Sequence, residues 1–251
     1  MTDSVLNVLL GLVASAISAG LGWLAQTLRR RRRLGRIREF FGMPGGTECL
    51  LVVNQHTASA SSKSVSRNDV YALMELAALV KECGARAEIV VHDQVRQGIG
   101  GKAEFCLGGP TSNQRTAAHL TSWLPGVRYG IDPGRTRWET IAVGGEEYGF
   151  EADPAVPDNG RYVLLARLHA GPGSRPVFLI AGQTATSNHA AVRYLTTHHR
   201  QLARRYGTDG TFVLVLRVVN PAAYGPDVVE LAADITGPAT AAAPAPAAVA
   251  G

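Results

Sequence analysis

No residue between Asp3 and Arg29 carries a charge. Residues 5–28, VLNVLLGLVASAISAGLGWLAQTL, are long enough to cross the ~30 Å hydrocarbon core of a bilayer as a helix rising ~1.5 Å per residue. Five arginines, 29–33, follow at once. Basic flanks face the cytoplasm, which puts the N-terminus outside and everything after the arginines inside, with Trp23 at headgroup depth. A cation before the apolar run is also missing: Met1, Thr2, Asp3 and Ser4 supply no basic leader, so Ala14-Ser15-Ala16 does not read as the cleavage site of a signal peptide. The lack of a polar face argues against a buried or surface-lying helix. Residues 1–33 are therefore expected to be a single-pass anchor in the cell membrane, with the lipid bilayer as first partner. Small residues recur every fourth position, Gly11-Ser15-Ala19 and Ala14-Ser18-Gly22, a face suited to homo-oligomer formation in lipid.

Away from this junction, basicity is scarce. Removing the five arginines from 25 basic residues leaves 20, and removing Asp3 from 20 acidic ones leaves 19, so the remainder is near +1. No basic stripe interleaved with aromatics follows, and no nucleic-acid partner is expected. Cysteines number three and form no C-x-x-C pair, so neither zinc nor a redox pair is indicated and the metal expectation is none. Free thiols suit a reducing compartment.

Strong catalytic motifs are missing too. There is no G-x-G-x-x-G and no G-x-S-x-G. Residues 97–103 look like a phosphate loop, but Arg96 stands where its first glycine belongs and Ala103 where its hydroxyl belongs. His198-His199 and Glu146-Glu147 read as solvated surface, and His92-Asp93 has no nucleophile to serve. No cofactor follows from these residues, and whether the chain is an enzyme stays open.

What is present alternates. CLLVVN (49–54) reads as a strand buried on both faces, followed by a Ser-rich loop. Ser66, three residues before Asp69, marks a helix start. Val70, Leu73, Met74, Ala77 and Val80 recur at helical spacing up to Gly84. Strands over 88–92 and 104–107 precede a helix over 113–124. Strand pairs over 138–143 with 148–152, and 161–170 with 177–181, read as hairpins. A helix over 188–206 and a strand over 212–219 close the pattern. The fold class is α/β: an N-terminal transmembrane helix, then a Rossmann-like three-layer domain with a mixed, mostly parallel sheet. Residues 34–46 are expected to be a juxtamembrane helix and hinge, 47–236 the cytosolic domain, and the Ala/Pro-rich 237–251 a disordered tail.

Two strand-to-helix junctions look alike, FCLGGPTSNQRTAAHL from Phe105 and FLIAGQTATSNHAAVRYL from Phe178. Glycine followed by Thr, Ser and Asn at a helix start offers caps, unpaired N–H groups and room for a ligand. At the carboxyl end of a parallel strand that is an anion seat. The candidate ligand-binding residues are Asn54, Gly108, Gly109, Thr111, Ser112, Asn113, Gly182, Thr184, Thr186, Ser187 and Asn188, with Gln55 and His56 facing the same crevice. GGPTSN after a strand, EEYGF in the middle and AGQTATSN later resemble the loops of uncharacterised bacterial membrane-anchored Rossmann-like α/β domains. That resemblance spans residues 49–219 and implies the fold rather than an activity. Here Gln183-Thr184-Ala185 stands where the family pattern has a glycine-rich second loop. The leading expectation is a membrane-tethered domain binding a nucleotide-like or other anionic small molecule, as a sensor or processing module. A non-catalytic interaction domain, with the loops as plain helix caps, is the alternative.

Overall fold

The continuous apolar runs do become a buried sheet. The computed structural model describes residues 2–55, 64–131, 139–149 and 160–241, excluding the side chains of 2–9, 11–14, 16, 131 and 139. Seven strands form the main sheet: β1 (Glu48–Val53), β2 (Arg86–Val91), β3 (Ala103–Leu107), β7 (Arg161–Leu168), β8 (Val177–Gly182), β9 (Phe212–Val218) and β10 (Val229–Asp234). Their spatial order is β10-β9-β7-β8-β3-β1-β2. The pairs β2–β1, β1–β3 and β3–β8 are parallel; β7 runs against both β8 and β9, and β10 against β9. Five of the seven strands therefore share one direction, a mixed and mostly parallel sheet. A smaller antiparallel sheet holds β4 (Val127–Ile131), β5 (Glu139–Val143) and β6 (Glu146–Tyr148).

The sheet is covered on both faces, so β1, β3 and β8 need no alternation. On one face Leu51, Phe105, Phe178 and Leu214 meet α2 (Arg67–Glu82), α4 (Ala185–Tyr206) and the end of α1 (Thr2–Phe41). On the other, Val52, Cys106, Leu179 and Val215 meet α3 (Gln114–Trp123), the small sheet and α6 (Thr236–Thr240). The short α5 (Pro221–Tyr224) lies in the turn between β9 and β10.

Three expectations change at the edges. The hinge at 34–46 is packed core: Ile37, Phe40, Phe41 and Met43 are at most 3% exposed. Phe41 lies 5.5 Å from Phe178 and 6.2 Å from Phe105, ring to ring, while Arg38 Nε donates to Cys83 O at 2.7 Å. Gly42 ends α1 at φ +63, and a Cβ there would meet Pro176 Cδ at 2.2 Å. The breaker residues thus cap a docked helix, and the domain begins inside α1.

The tail also starts later than expected. Ala239 is fully buried, and Gly126 N–H donates to Ala239 O at 3.0 Å, so 237–241 pack on the domain; 242–251 lie outside the described residues. Finally, among the described residues no helix is long and apolar enough to cross a membrane. Most side chains of the first half of the apolar stretch fall outside that description.

Candidate functional site

The helix after β1 lies on one face and the helix after β3 on the other. Such a switch opens a crevice at the carboxyl ends of adjacent strands. Asn54 leaves β1 there and Gly108 leaves β3. Gly108 has φ +101, and a Cβ on it would come 2.6 Å from Asn54 Cβ. Its missing side chain is the space that Asn54 fills. Gln55 N–H donates to Ser112 O at 3.0 Å and joins the two exits; His56 lies outside the described residues.

Behind Asn54 stands Asp69, 1% exposed. Asn54 Nδ2 donates to Asp69 Oδ2 at 3.0 Å and Asn188 Nδ2 to Asp69 Oδ1 at 2.8 Å. Asn188 Oδ1 in turn accepts from Gly182 N–H at 2.8 Å. This chain ties the ends of β1 and β8 to α2 and α4. In the sequence Asp69 reads as the partner of Ser66 at a helix start, not as a site residue. Ser66 makes no side-chain cap; Asp69 turns inward and serves two amides instead. The buried stripe of α2 is Asp69, Ala72, Leu76, Leu79 and Val80, whereas Val70 and Met74 are 41% and 64% exposed. A carboxylate in register with an apolar stripe was the signal that could have found it.

The two loops differ in detail. Asn113 caps α3, its Oδ1 accepting from Arg115 and Thr116 N–H at 3.0 and 3.1 Å while Nδ2 donates to Leu107 O. In the second loop Thr184 is the cap, accepting from Ser187 N–H at 3.2 Å, and Asn188 sits inside the helix. Thr186 Oγ1 accepts from Asn68 Nδ2, and Thr184 and Ser187 hydroxyls share a bond. Gly109 O accepts from Ser112 and Asn113 N–H, and Thr111 is exposed at the turn. Gln114 N–H faces His92 Nδ1 at 3.3 Å. The loops start helices on opposite faces, and most donors an anion would use already serve the fold. Gln183 joins the sheets: its Nε2 donates to Tyr148 O and its Oε1 accepts from Tyr162 N–H.

Among the described residues, an acceptor beside Asp69 is left over. Asn54, 8% exposed, has its Oδ1 buried without a partner. An orphan acceptor beside a buried carboxylate suits a group that donates hydrogen bonds and repels one that carries negative charge.

A second polar cluster lies under α3. Arg115 grips Glu104 with both Nε (2.8 Å) and Nη2 (2.9 Å), and His119 Nε2 and Cys106 Sγ reach Glu104 Oε1 at 2.9 and 3.0 Å. Burial opposes the charged carboxyl, but the bonds from Arg115, His119 and Cys106 together outweigh it and hold Glu104 at about 2. Burial, with the Glu104 charge adding to it, pushes the Cys106 thiol well above its ordinary value. Glu104, Cys106 and His119 lie close enough to share a metal ion. Arg115 already supplies the positive charge at both carboxylate oxygens, and a protonated thiol is a poor ligand, so the cluster acts as a clamp of α3 on β3.

Comparison with models of known families, with curated proteins and with solved structures returns no match.

Proposed function

We propose that the protein is a membrane-tethered α/β interaction module, its domain docked rigidly on the cytoplasmic end of its own anchor. One observation carries this reading: the described apolar side chains of α1 between Leu10 and Leu28 are exposed. Ile17, Leu21, Trp23 and Leu24 are 47–69% exposed, although the helix is uncharged from Ser4 to Leu28. Exposed apolar surface costs about 25 cal/mol per Å², and a hydrocarbon solvent removes that cost. The described stretch is short of a span alone, but with residues 5–16 the uncharged helix reaches roughly 36 Å. Because α1 enters near the starts of β8 and β9, the carboxyl edge of the sheet points away from the bilayer. Full-length protein should stay with membranes through alkaline carbonate washing and leave them only with detergent. Recovery in the aqueous fraction would remove the reading.

A second reading rests on Asn54 Oδ1. The crevice takes a donor-rich neutral group, such as the hydroxyls or amino group of a nucleoside, in place of the phosphate expected from the loops. A thermal-shift comparison separates the two. Adenosine should raise the melting temperature at least as much as its monophosphate, and inorganic phosphate should have no effect. Stabilisation by phosphate alone would restore the anion seat.

A further inference from the structure

We infer that the base of α1 and the C-terminal turns of α4 together form a binding pocket for a phosphate-bearing headgroup, filled in place by an anionic phospholipid. The pocket encloses about 430 Å³ between the two helices. Its walls carry Arg33 and Arg36 from α1, and Arg200 and Arg204 from α4. Its floor is firm: Ile37 is 3% exposed, and the His199 ring lies 6.2 Å from Phe40 and 5.8 Å from Phe41.

The four arginines stand apart from their neighbours in what they bond. Arg38 donates to Cys83 O, Arg193 pairs with Asp227, Arg205 with Asp234, and Arg167 is fully engaged by the carbonyls of Gly207, Thr208 and Gly210. Among the described residues, none of Arg33, Arg36, Arg200 and Arg204 has an ion pair or hydrogen bond. The carboxylate closest in the bonding network, Glu39, accepts the Thr208 hydroxyl at the rim. Glu75 and Glu82 line an adjoining recess that shares Arg33, Ile37 and His199 with the pocket; Glu75 is held there by His189, and Arg33 borders both recesses. Four unpaired guanidiniums line one concavity, and a guanidinium can bond two phosphate oxygens at once.

Depth selects the source of the phosphate. Arg33 stands five residues beyond Leu28 and Arg36 eight, roughly 8 and 12 Å along the helix axis. The polar layer on each side of the hydrocarbon is roughly 5–8 Å thick. Arg33 therefore stands at the outer boundary of the headgroups, within a long side chain's reach of the lipid phosphates, where an anionic lipid leaves its phosphate uncompensated and a zwitterionic one brings its own cation. The lipid source rests on the tether reading; the anion chemistry does not. Bound this way, a headgroup bridges α1 and α4, because two of its ligands belong to each helix.

The test uses full-length protein in a neutral maltoside detergent and reads the melting temperature. Short-chain phosphatidylglycerol should raise it by about 5 °C near saturation, and short-chain phosphatidylcholine should not. Arg200→Ala/Arg204→Ala should lose the shift while keeping the ligand-free melting temperature within a few degrees. Arg200→Lys/Arg204→Lys should keep part of the shift, which guards against a folding defect in the alanine variant. An equal shift in wild type and alanine variant, or none in wild type, overturns the pocket. A full shift with pyrophosphate and none with phosphatidylglycerol supports the anion chemistry and overturns the lipid source. Protein that never needs detergent removes the tether alone, since the pyrophosphate arm still reads the pocket.

Discussion

Asp69 joins three elements through two amides, and its removal shows what a buried acceptor contributes. Asp69→Ala would strand the Asn54 and Asn188 Nδ2 groups, each within 3.0 Å of it now. A loss of about 2–4 kcal/mol in urea unfolding is expected, with Asp69→Asn losing less because one amide can still be met. Equal, small effects of both variants would contradict the network. Glu104 makes a pH-dependent contribution. Its carboxyl lies at about 2 in the fold against 4.5 when exposed, so the stabilisation is fully present above pH 4.5 and is lost as pH falls toward 2. Acid titration of stability should be shallower over that window in Glu104→Gln, whose overall stability drops because Arg115 loses its partner. Neither residue was legible as functional in the sequence. Their partners are 119 and 11 residues away; Asp69 betrays itself only by its register with the buried stripe of α2, and Glu104, in a continuously buried strand, has no such register.

At the scale of elements, patterns tied to period and turn chemistry were legible, and those set by long-range packing were not. The apolar runs 49–54, 104–107 and 212–219 became β1, β3 and β9, because strands covered on both faces need only continuous hydrophobicity. Gly144-Gly145 turns between β5 and β6 with both glycines at positive φ, but the second strand is Glu146–Tyr148 and not 148–152, of which 150–152, like Trp138, lie outside the described residues. β4, β10 and α6 went unread: they are short, partly polar and ordered by neighbours that only the tertiary fold supplies. The same reason explains the two misplaced boundaries. Phe40 and Phe41 sit on a helix that looked like a connector, and Ala239 in a stretch that looked featureless. Phe41→Ala should destabilise the domain by about 3–5 kcal/mol, a cost no hinge residue would carry. Truncation after Thr236 should lower the melting temperature by about 2–6 °C through loss of the Ala239 contact and the bond it accepts from Gly126. An unchanged melting curve in either variant would return the boundary to where sequence alone placed it.

For the whole molecule, the consequence is mechanical. A helix of 40 residues that ends inside the hydrophobic core transmits its orientation to the domain, because Ile37, Phe40, Phe41 and Met43 leave it no free joint. Arg167 reinforces this: it is fully buried, its guanidinium 4.5 Å from the Phe40 ring while it holds the turn after α4. The proposed tether rests on the exposed apolar side chains of α1, and several polar groups of the two loops already bond within the fold, Asn113 to its own helix and Asn188 to Gly182 and Asp69. The most direct measurement of the central claim is a reporter fused after Gly251 in the full chain. Cytoplasmic fluorescence from a membrane-bound fusion is expected, with orientation scrambled when the arginines 29–33 are replaced by glutamine. Alkaline phosphatase activity from the same position, or a fluorescent fusion that stays in the soluble fraction, would contradict it.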